Sequence, residues 1–525
     1  MTGRQYEAYF IQRRDLMTNA GRSYIRLHPD DNVVVALKAL SRGERLPNED
    51  VILLDDIAAG HKAAVRLIPA GAAVIKYGQI IGFASNDIEP GRHIHTHNVT
   101  LHNFSRDYAY SQDARPTQYV ADSARRTFEG FLRPDGSVGI RNYVGIVSTV
   151  TCSLATAHLI AQRFGLEVMS RYPNVDGVVA LGANSGCCMT PGGDAITYLQ
   201  RSLAGYARQP NFAGVLILGL GCEQNLVDCL LEATGLSPNE RLRTMVIQDE
   251  GGTNATVENG VAAVRELLER ADRVKRSTFP VSRLKLGLEC GGSDGYSGIT
   301  ANPSLGAAAD LLVRHGGTAA LSETPEIYGA EHLLTRRAIN RAVGEQLVAR
   351  IRWWEEYTAR NGSQLNNNPT PGNKAGGITT ILEKSLGAVT KGGNTNLVEV
   401  VGFAEDVNGP GLVFMDTPGF DPVSVTGLIA GGVHLVAFTT GRGTVLGSVP
   451  APTLKLASNS DLYRRMQADM DINCGQILDA GLSVEEMGTQ IFDLILETAS
   501  GKKTKSELAC QGQWEFHPWY IGAVV

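Results

Sequence analysis

The sequence predicts an α/β protein in which a small N-terminal β domain precedes a large region with parallel sheets. Short β-like runs separated by tight turns occupy the N-terminal part, residues 22–98. From residue 128 onward, apolar strand-like runs alternate with helical segments, the pattern of Rossmann-like βαβ units. Residues 99–127 between them are polar and irregular, and we expect a linker there.

Size and composition exclude several classes of protein. The chain has 525 residues, of which 43% are hydrophobic and 19% charged, as in soluble proteins of about two to four domains. A net charge of −6 argues against a nucleic-acid partner. No apolar run approaches the ~18 residues of a membrane span. Met1–Tyr24 is polar and contains arginines, so we expect no signal peptide and a cytoplasmic protein.

Composition divides the chain into a small β domain at 22–98, the linker at 99–127, a first α/β domain at 128–278 and a second at 279–525. The runs that predict strands in the small domain are 32–36, 51–54, 63–67 and 72–76. Turns at 69–71 and 76–78 separate some of these runs.

In the first α/β domain, three apolar runs each end in a polar segment with cysteine. Val144–Val150 precedes Cys152, Val178–Leu181 precedes Cys187 and Cys188, and Val215–Leu218 precedes Cys222 and Glu223. Helical runs follow the first and third of these segments, so we expect parallel strands whose carboxyl ends share one edge. Ligands bind at that edge in open α/β sheets.

The second α/β domain contains the most informative segment of the chain. The buried strand predicted at Leu284–Leu288 breaks into a polar turn before a helical run at Ser304–His315. The turn contains Glu289, Cys290, Gly291, Gly292, Ser293 and Asp294. A purely structural turn between a strand and a helix is often rich in glycine but rarely combines Cys, Ser and Asp, so we favour a functional site.

Charged groups also follow two other strands predicted in this domain. Ala319–Leu321 precedes Glu323, and Leu435–Phe438 precedes a turn with Thr440 and Arg442. The long polar loop at 360–377, which contains Asn373 and Lys374, exceeds the usual length of a structureless connection and is expected to be functional or disordered.

Histidines mark a second candidate site, in the small domain. His61 and Lys62 follow Gly60, and His93, His95 and His97 alternate along the chain. On a strand, the alternating histidines would share one face and could bind a metal. A solvated strand face is the alternative interpretation.

Motifs along nearly the whole chain resemble those of the altronate and galactarate dehydratase family. They are 59–62, 76–78, 93–98, 133–139, 219–223, 288–303, 368–377, 440–444 and 470–473. The segments Pro325–Glu331 and His93–Asn98 resemble the altronate branch more than the galactarate branch. The resemblance implies a β-clip (SAF-like) N-terminal domain, a larger α/β part, loss of water from a sugar acid to give a 2-keto-3-deoxy acid, and dependence on Fe²⁺ or Mn²⁺.

One position departs from the family pattern. Relatives have a histidine four residues before the cysteine that corresponds to Cys187, and this chain has Ala183 there. If that histidine acts on the substrate in relatives, the resemblance implies a different substrate or mechanism here.

Dehydration next to a carboxylate requires an anion clamp, a base for the α-proton and help for the leaving C3 hydroxyl. Candidate groups for holding the substrate are Gly291, Gly292, Ser293, Asn373, Lys374, Thr440 and Arg442. Candidate acids and bases are His61, Lys62, Glu223, Asp294 and Glu323. The sequence alone does not distinguish which of them takes the proton.

The cysteines at strand ends are candidate metal ligands. Cys152, Cys187, Cys222 and Cys290 would suit iron, either as Fe²⁺ or as an iron–sulfur cluster, with Mn²⁺ as the other metal expected from the resemblance. His95 and His97 are the alternative ligands. The competing interpretation is that these cysteines are simply small apolar residues.

Two other functions remain open from the sequence. The chain also resembles sulfolactate sulfo-lyases, which would use a similar grip on a carboxylate. A non-catalytic protein that binds sugar acids is the second alternative, and Ala183 keeps it open. For partners, we expect a small sugar acid, no nucleic acid and no membrane, and a homo-oligomer is plausible.

Overall fold

The computed structural model describes residues 22–102, 104 and 106–522. The segment before residue 22, most of the region in which we predict no signal peptide, lies outside the described residues. Within them, no helix is long and apolar enough to cross a membrane.

The N-terminal domain is a set of small antiparallel sheets. Its strands are β1 (Tyr24–Ile25), β2 (Val33–Ala36), β3 (Arg45–Leu46), β4 (Val51–Ile52), β5 (Lys62–Ala64), β6 (Ala73–Lys76), β7 (Gln79–Ala84), β8 (His93–Ile94) and β9 (Val99–Thr100). They pair in the orders β1-β2-β5-β8, β3-β4 and β6-β7-β9. The predicted small β domain is confirmed. Its last strand pairs with β7, so this sheet continues past residue 98.

The next part of the chain forms a four-stranded parallel sheet with helices. Its elements are β10 (Thr127–Leu132), β11 (Val138–Gly139), β12 (Tyr143–Ser148), α1 (Thr151–Ala161), α2 (Leu166–Met169), β13 (Gly177–Gly182), α3 (Asp194–Arg208), β14 (Phe212–Gly219), α4 (Val227–Thr234), β15 (Leu242–Val246), α5 (Thr253–Arg273) and β16 (Ser277–Pro280). The parallel order is β13-β12-β14-β15, and β10 pairs antiparallel with β11 and β16 in a separate sheet.

The C-terminal part forms a seven-stranded parallel sheet. Its strands are β17 (Lys285–Cys290), β18 (Thr318–Leu321), β19 (Leu397–Val401), β20 (Gly411–Met415), β21 (Leu435–Thr440), β22 (Thr453–Ala457) and β23 (Ile472–Asn473). Their order is β19-β20-β18-β17-β21-β22-β23, with β17 at the centre. Every residue of β17 after Lys285 is buried, as expected for a parallel strand covered on both faces.

Ten helices accompany this sheet in the part of the chain that the structure describes. They are α6 (Ala301–Arg314), α7 (His332–Thr335), α8 (Arg341–Arg360), α9 (Pro371–Ala375), α10 (Ile381–Ala388), α11 (Asp421–Ala430), α12 (Ser460–Arg465), α13 (Gln476–Asp479), α14 (Val484–Ala499) and α15 (Lys505–Leu508). The strand predicted at Leu284–Leu288 and the helix after it are both present, but Glu289 and Cys290, predicted in the turn, are the last two residues of β17, and the turn begins at Gly291.

A buried ion triad holds the small domain against α10. Lys62 and Lys76 of the small domain donate to opposite oxygens of Glu383, at 3.0 Å and 2.9 Å. All three side chains are almost fully buried. Burial alone would raise the pKa of Glu383, but the two ammonium charges outweigh it and hold that pKa below its usual range.

Main-chain contact completes this interface. The carbonyl oxygen of Gly60 lies so close to Gly295 and Gly377 that a Cβ atom on either would approach it to 2.1 Å or 2.3 Å. Only glycine allows the backbone of the small domain to pack directly on these two loops.

Replacing Glu383→Gln is expected to destabilise the fold by about 3–5 kcal/mol, because it leaves two buried ammonium groups without their counter-charge. Chemical unfolding followed by fluorescence measures the change. Glu497→Gln is the control, because Glu497 forms an exposed pair with Lys502 that is worth less than about 1 kcal/mol. Equal losses for the two variants would contradict the role of the triad.

The stability lost in Glu383→Gln should depend on pH in a defined direction. The pKa of Glu383 is lower when folded than its usual ~4.3, so its stabilisation is complete well above pH ~4.3 and is lost as the pH falls through the folded value. The difference in stability between wild type and Glu383→Gln should therefore shrink as the pH is lowered from about 5.

Candidate active site

Three potential metal ligands meet at the carboxyl end of β17. The Cys290 sulfur lies 3.7 Å from Glu323 Oε2 and 3.6 Å from Glu326 Oε2. Glu323 follows β18, and Glu326 lies on the 3₁₀ turn Thr324–Ile327. Among the described residues, these ligand atoms form the one group of three within 4.8 Å of one another. The neighbouring strands β17 and β18 bring them together.

Two buried lysines balance part of the negative charge of this cluster. Lys391 donates to Glu323 Oε2 at 3.0 Å, and Lys384 donates to Glu326 Oε1 at 2.7 Å. Burial alone would lower the pKa of each ammonium group, but the surrounding acids raise both above the usual value. The lysines therefore stay charged.

Further acids leave the cluster short of positive charge. Glu289 accepts from Ser322 and Ser424 through Oε1, whereas its Oε2 and Glu323 Oε1 are buried without a hydrogen-bond partner among the described residues. Burial, reinforced by Glu323 and Glu326, raises the pKa of Asp421 to about 8. Two ammonium groups thus serve four carboxyl groups and a thiol, and the raised pKa values of Glu289, Cys290 and Asp421 show that these acids retain protons without a further positive charge. The two unpartnered oxygens fit a cation that would replace those protons.

Asp421 contacts the glycine turn after β17. A Cβ atom on Gly291 would approach Asp421 Oδ2 to 2.2 Å, so the carboxyl group lies directly over this residue. The turn predicted to hold substrate is therefore adjacent to the acidic cluster.

Helix α9, which carries Lys374, and the loop that carries Arg442 are both anchored to the same turn. Arg442 N donates to Gly292 O at 2.8 Å, and Asn373 Nδ2 donates to Ser293 O at 2.9 Å. Neither the side chain of Arg442 nor that of Lys374 has a hydrogen-bond or ion-pair partner within the described ranges. The predicted substrate-binding residues are thus brought together around one turn.

Thr440 and Ser293 have different surroundings within this group. Thr440 is buried, and its Oγ1 accepts from Gly443 N at 3.0 Å, which shapes the loop that carries Arg442. Ser293 Oγ is buried without a hydrogen-bond partner in the described part of the chain. Of these two hydroxyl groups, that of Ser293 is the one available to a ligand.

His61 of the small domain reaches the same region. Its Nε2 lies 3.3 Å from the carbonyl oxygen of Ala375, next to Lys374, and its Nδ1 lies 3.0 Å from His93 Nε2. Burial lowers the pKa of His61, so the ring is neutral near pH 7. The adjacent Lys62 is occupied by Glu383, although burial lowers its pKa to about 8.

The alternating histidines form a ring cluster although they do not share a strand. β8 ends at Ile94, and Asn98 Oδ1 accepts from His95 N in a turn. The ring centroid of His93 lies 5.5 Å from that of His95 and 5.4 Å from that of His97. Burial lowers the pKa of His93 and of His95 to about 4. A metal role for His95 and His97 stays a prediction.

Two predicted acids are held by hydrogen bonds from their own turns and from neighbouring segments. Asp294 accepts from Ser297, Ser458 and Asn459. Glu223 accepts from the backbone of its own turn and from Thr149. Burial alone would raise the pKa of Glu223, but these bonds hold it below its usual range. Both carboxylates therefore shape loops in this structure, and a catalytic role for either stays a prediction.

The four cysteines predicted as ligands fall into two groups. Cys290 is buried on the seven-stranded sheet, whereas Cys152, Cys187 and Cys222 are exposed at the four-stranded sheet. The predicted set of four ligands spans the two predicted α/β domains, and the structure places the strands that carry them in two separate sheets. Ala183 is buried beside β13, so the departure from the family pattern lies on the four-stranded sheet as well.

Sequence reasoning missed several members of the acidic cluster. They are Glu289, Glu326, Lys384, Lys391 and Asp421. Glu326 lies three residues after Glu323, and this spacing on one turn was the available signal. The two lysines lie in an apolar helix and a buried 3₁₀ turn, where an ammonium group requires a charged partner.

Family models match three consecutive parts of the chain. The altronate/galactarate dehydratase SAF domain matches residues 22–102, the second domain of D-galactarate dehydratase/altronate hydrolase matches 130–272, and the C-terminal domain of D-galactarate/altronate dehydratase matches 281–524. The chain belongs to the galactarate/altronate dehydratase family. The resemblance inferred from the motifs is confirmed, including the SAF domain.

Curated relatives span nearly the same length. Altronate dehydratase of Bacillus subtilis is 39% identical over 93% of this chain and 97% of its own. Galactarate dehydratase (L-threo-forming) of Escherichia coli is 36% identical over 94% and 95%. The (2R)-sulfolactate sulfo-lyase subunit beta of Chromohalobacter salexigens is 34% identical over 73% and 95%.

In metal-free protein kept under reducing conditions, iodoacetamide should modify Cys152 and Cys222 rapidly and Cys290 slowly. The first two thiols are exposed, whereas burial raises the pKa of the Cys290 thiol and blocks access. Peptide mass spectrometry over a time course measures the three rates, with buried Cys474 as the protected reference. Labelling of Cys290 as fast as Cys222 would show that the cluster is open to solvent.

Proposed function

We propose that this protein is a metal-dependent hydro-lyase that converts a hexonate or hexarate to a 2-keto-3-deoxy acid. The observation that carries the proposal is the pair of unpaired cations, Lys374 and Arg442, held beside a buried acidic cluster that lacks positive charge. A sugar acid offers a carboxylate to the cations and hydroxyl groups to the cluster. The names of the curated relatives support this substrate class.

Cys290, Glu323 and Glu326 are the residues that would hold the metal. Mixed thiolate and carboxylate ligands suit Fe²⁺, and Mn²⁺ is the alternative. When bound, such an ion supplies Lewis-acid stabilisation of charge that develops on oxygen. Lys384 and Lys391 then act by fixing the orientation of the two carboxylates.

The substrate carboxylate would bind between the two anchored segments. Arg442 can form two parallel hydrogen bonds to it, and Lys374 adds a second positive charge. Because helix α9 and the loop with Arg442 both bond to the Gly292–Ser293 turn, the backbone of the two clamp residues is fixed relative to the cluster.

We favour His61 as the base, with Nδ1 as the accepting atom, because Nε2 carries its proton toward the carbonyl oxygen of Ala375 and Nδ1 can exchange His93 for the substrate. The ring of His61 is neutral near pH 7 and lies next to the loop with Lys374, whereas the amino group of Lys62 is tied to Glu383. In the reaction His61 takes the C2 proton, the C3 hydroxyl gains a proton and leaves as water, and the resulting enol transfers its O–H proton to C3 to give the 2-keto acid, so that the net change is loss of one water.

The direct test measures keto-acid formation from altronate, galactarate, other hexonates and hexarates, and sulfolactate. The protein is purified without oxygen and supplied with Fe²⁺ or Mn²⁺, with a chelator control. We expect a 2-keto-3-deoxy product from a sugar acid, and its loss with chelator or in Glu323→Gln. Sulfite release from sulfolactate would support the sulfo-lyase alternative. Binding of sugar acids without turnover by metal-loaded protein would support a non-catalytic role.

Arg442→Met should reduce kcat/KM for the sugar acid by about ten- to hundredfold, since hydrogen bonds to a charged group contribute roughly 1.5–3 kcal/mol. Arg464→Met is the matched control, because Arg464 is an exposed arginine paired with Asp461 on α12. Steady-state kinetics of both variants provides the comparison. Similar kcat/KM values for the two would remove Arg442 from the clamp.

A further inference from the structure

The four-stranded sheet has a ligand-binding topology that the proposed reaction does not use. Its order places β12, the first strand, between β13 and β14. With right-handed connections, the helices that follow β12 and β14 lie on opposite faces of the sheet, which opens a crevice at the carboxyl ends of β12 and β14. This switch point is the usual ligand site of such sheets.

Cysteines stand on both sides of that crevice. Cys152 begins the first turn of α1, directly after β12, and Cys222 lies in the turn that follows β14. Cys187 and Cys188 follow the adjacent β13, and their sulfur atoms are 3.9 Å apart. All four thiols are exposed and free.

Hydrogen bonds join the three cysteine loops into one unit. Thr151 N donates to Ser185 O at 3.0 Å, which connects the loop after β12 to the loop after β13. Asn225 N donates to Gly186 O at 3.0 Å, and its Nδ2 donates to Thr149 O at 3.1 Å. The loop after β14 is thereby tied to the other two, and the thiols are presented by a preformed frame.

Glu223 fixes the turn that carries Cys222. It accepts from Gly221 N at 2.7 Å, from Leu220 N at 3.0 Å and from Thr149 Oγ1 at 2.7 Å. A buried carboxylate is thus committed to positioning an exposed cysteine between two strand ends. A surface thiol without a ligand has no need of such support.

The spacing of the sulfurs distinguishes among metal centres. Sulfur ligands of a single tetrahedral ion, with bonds of about 2.3 Å, lie roughly 3.8 Å apart. Within the described residues, these cysteines contain no group of three ligand atoms within 4.8 Å of one another, so the arrangement does not match a single tetrahedral ion. The hydrogen bonds between their loops nevertheless hold the three thiols around one crevice, where a centre with several metal atoms, which thiolates bind as iron–sulfur clusters, would be needed to reach all of them.

We propose that Cys152, Cys187 and Cys222 bind an iron–sulfur cluster at the switch point of the four-stranded sheet, independently of Cys290. Iron and inorganic sulfide are the constituents, and each cysteine thiol loses a proton on binding. Three protein ligands leave one iron position open to solvent or a small ligand. The centre is separate from the Cys290–Glu323–Glu326 cluster, which lies on the other sheet.

The test measures iron and acid-labile sulfide in full-length protein purified without oxygen and reconstituted with ferric iron, sulfide and an excess of thiol, which reduces part of the iron to the mixed ferrous and ferric state of a cluster. We expect equal amounts of iron and sulfide in the cluster, and an electron paramagnetic resonance signal after reduction. Cys152→Ser, Cys187→Ser and Cys222→Ser should each lower the sulfide content at least tenfold. Thermal unfolding of each variant shows that the fold persists.

Two other cysteine variants make the test selective. Cys229→Ser should keep wild-type sulfide, because this exposed cysteine lies on α4. Cys290→Ser should keep the sulfide while losing the proposed dehydratase activity, so the two proposals fail separately. Wild-type protein without labile sulfide, iron bound without sulfide, or equal sulfide in Cys152→Ser and Cys229→Ser would each overturn the proposal.

Discussion

The ion pairs of Glu383 with Lys62 and Lys76 set the relation between the small domain and the seven-stranded sheet. Charges buried this deeply are tolerated only when each has its partner, so the small domain has one low-energy position on α10. That position places His61 beside the loop with Lys374. The candidate site therefore contains residues from two domains because this triad holds the domains together.

Helix α10 connects the triad to the acidic cluster through consecutive residues. Glu383 binds the lysines of the small domain, and Lys384 binds Glu326. A shift of this helix would disturb the domain interface and the candidate metal ligands together. In a low-dielectric interior both sets of charges respond strongly to small displacements, which favours one rigid arrangement.

Local sequence patterns predicted the strands and helices well. They predicted poorly which distant segments and side chains contact each other. The apolar run before Cys290 and the helix after it identified a βα turn, because strand and helix periods are properties of short segments. The family motifs also identified the loops with Lys374 and Arg442. In contrast, the two predicted α/β domains left open whether the ends of their strands converge on one site, which depends on how the two sheets pack, and the pairing of Lys391 with Glu323 depends on long-range packing. Neither leaves a periodic trace in the sequence.

The contact of Gly60 with Gly295 and Gly377 has a consequence for how the protein can change over time. Three separate segments meet there through bare peptide groups, so a side chain at Gly295 or Gly377 would act as a wedge between the domains. Substitution of these glycines is therefore restricted, while residues of the surrounding surface are free to vary. This part of the interface is formed by backbone atoms rather than by side chains. The small domain of a relative with the same glycines would therefore pack in the same position.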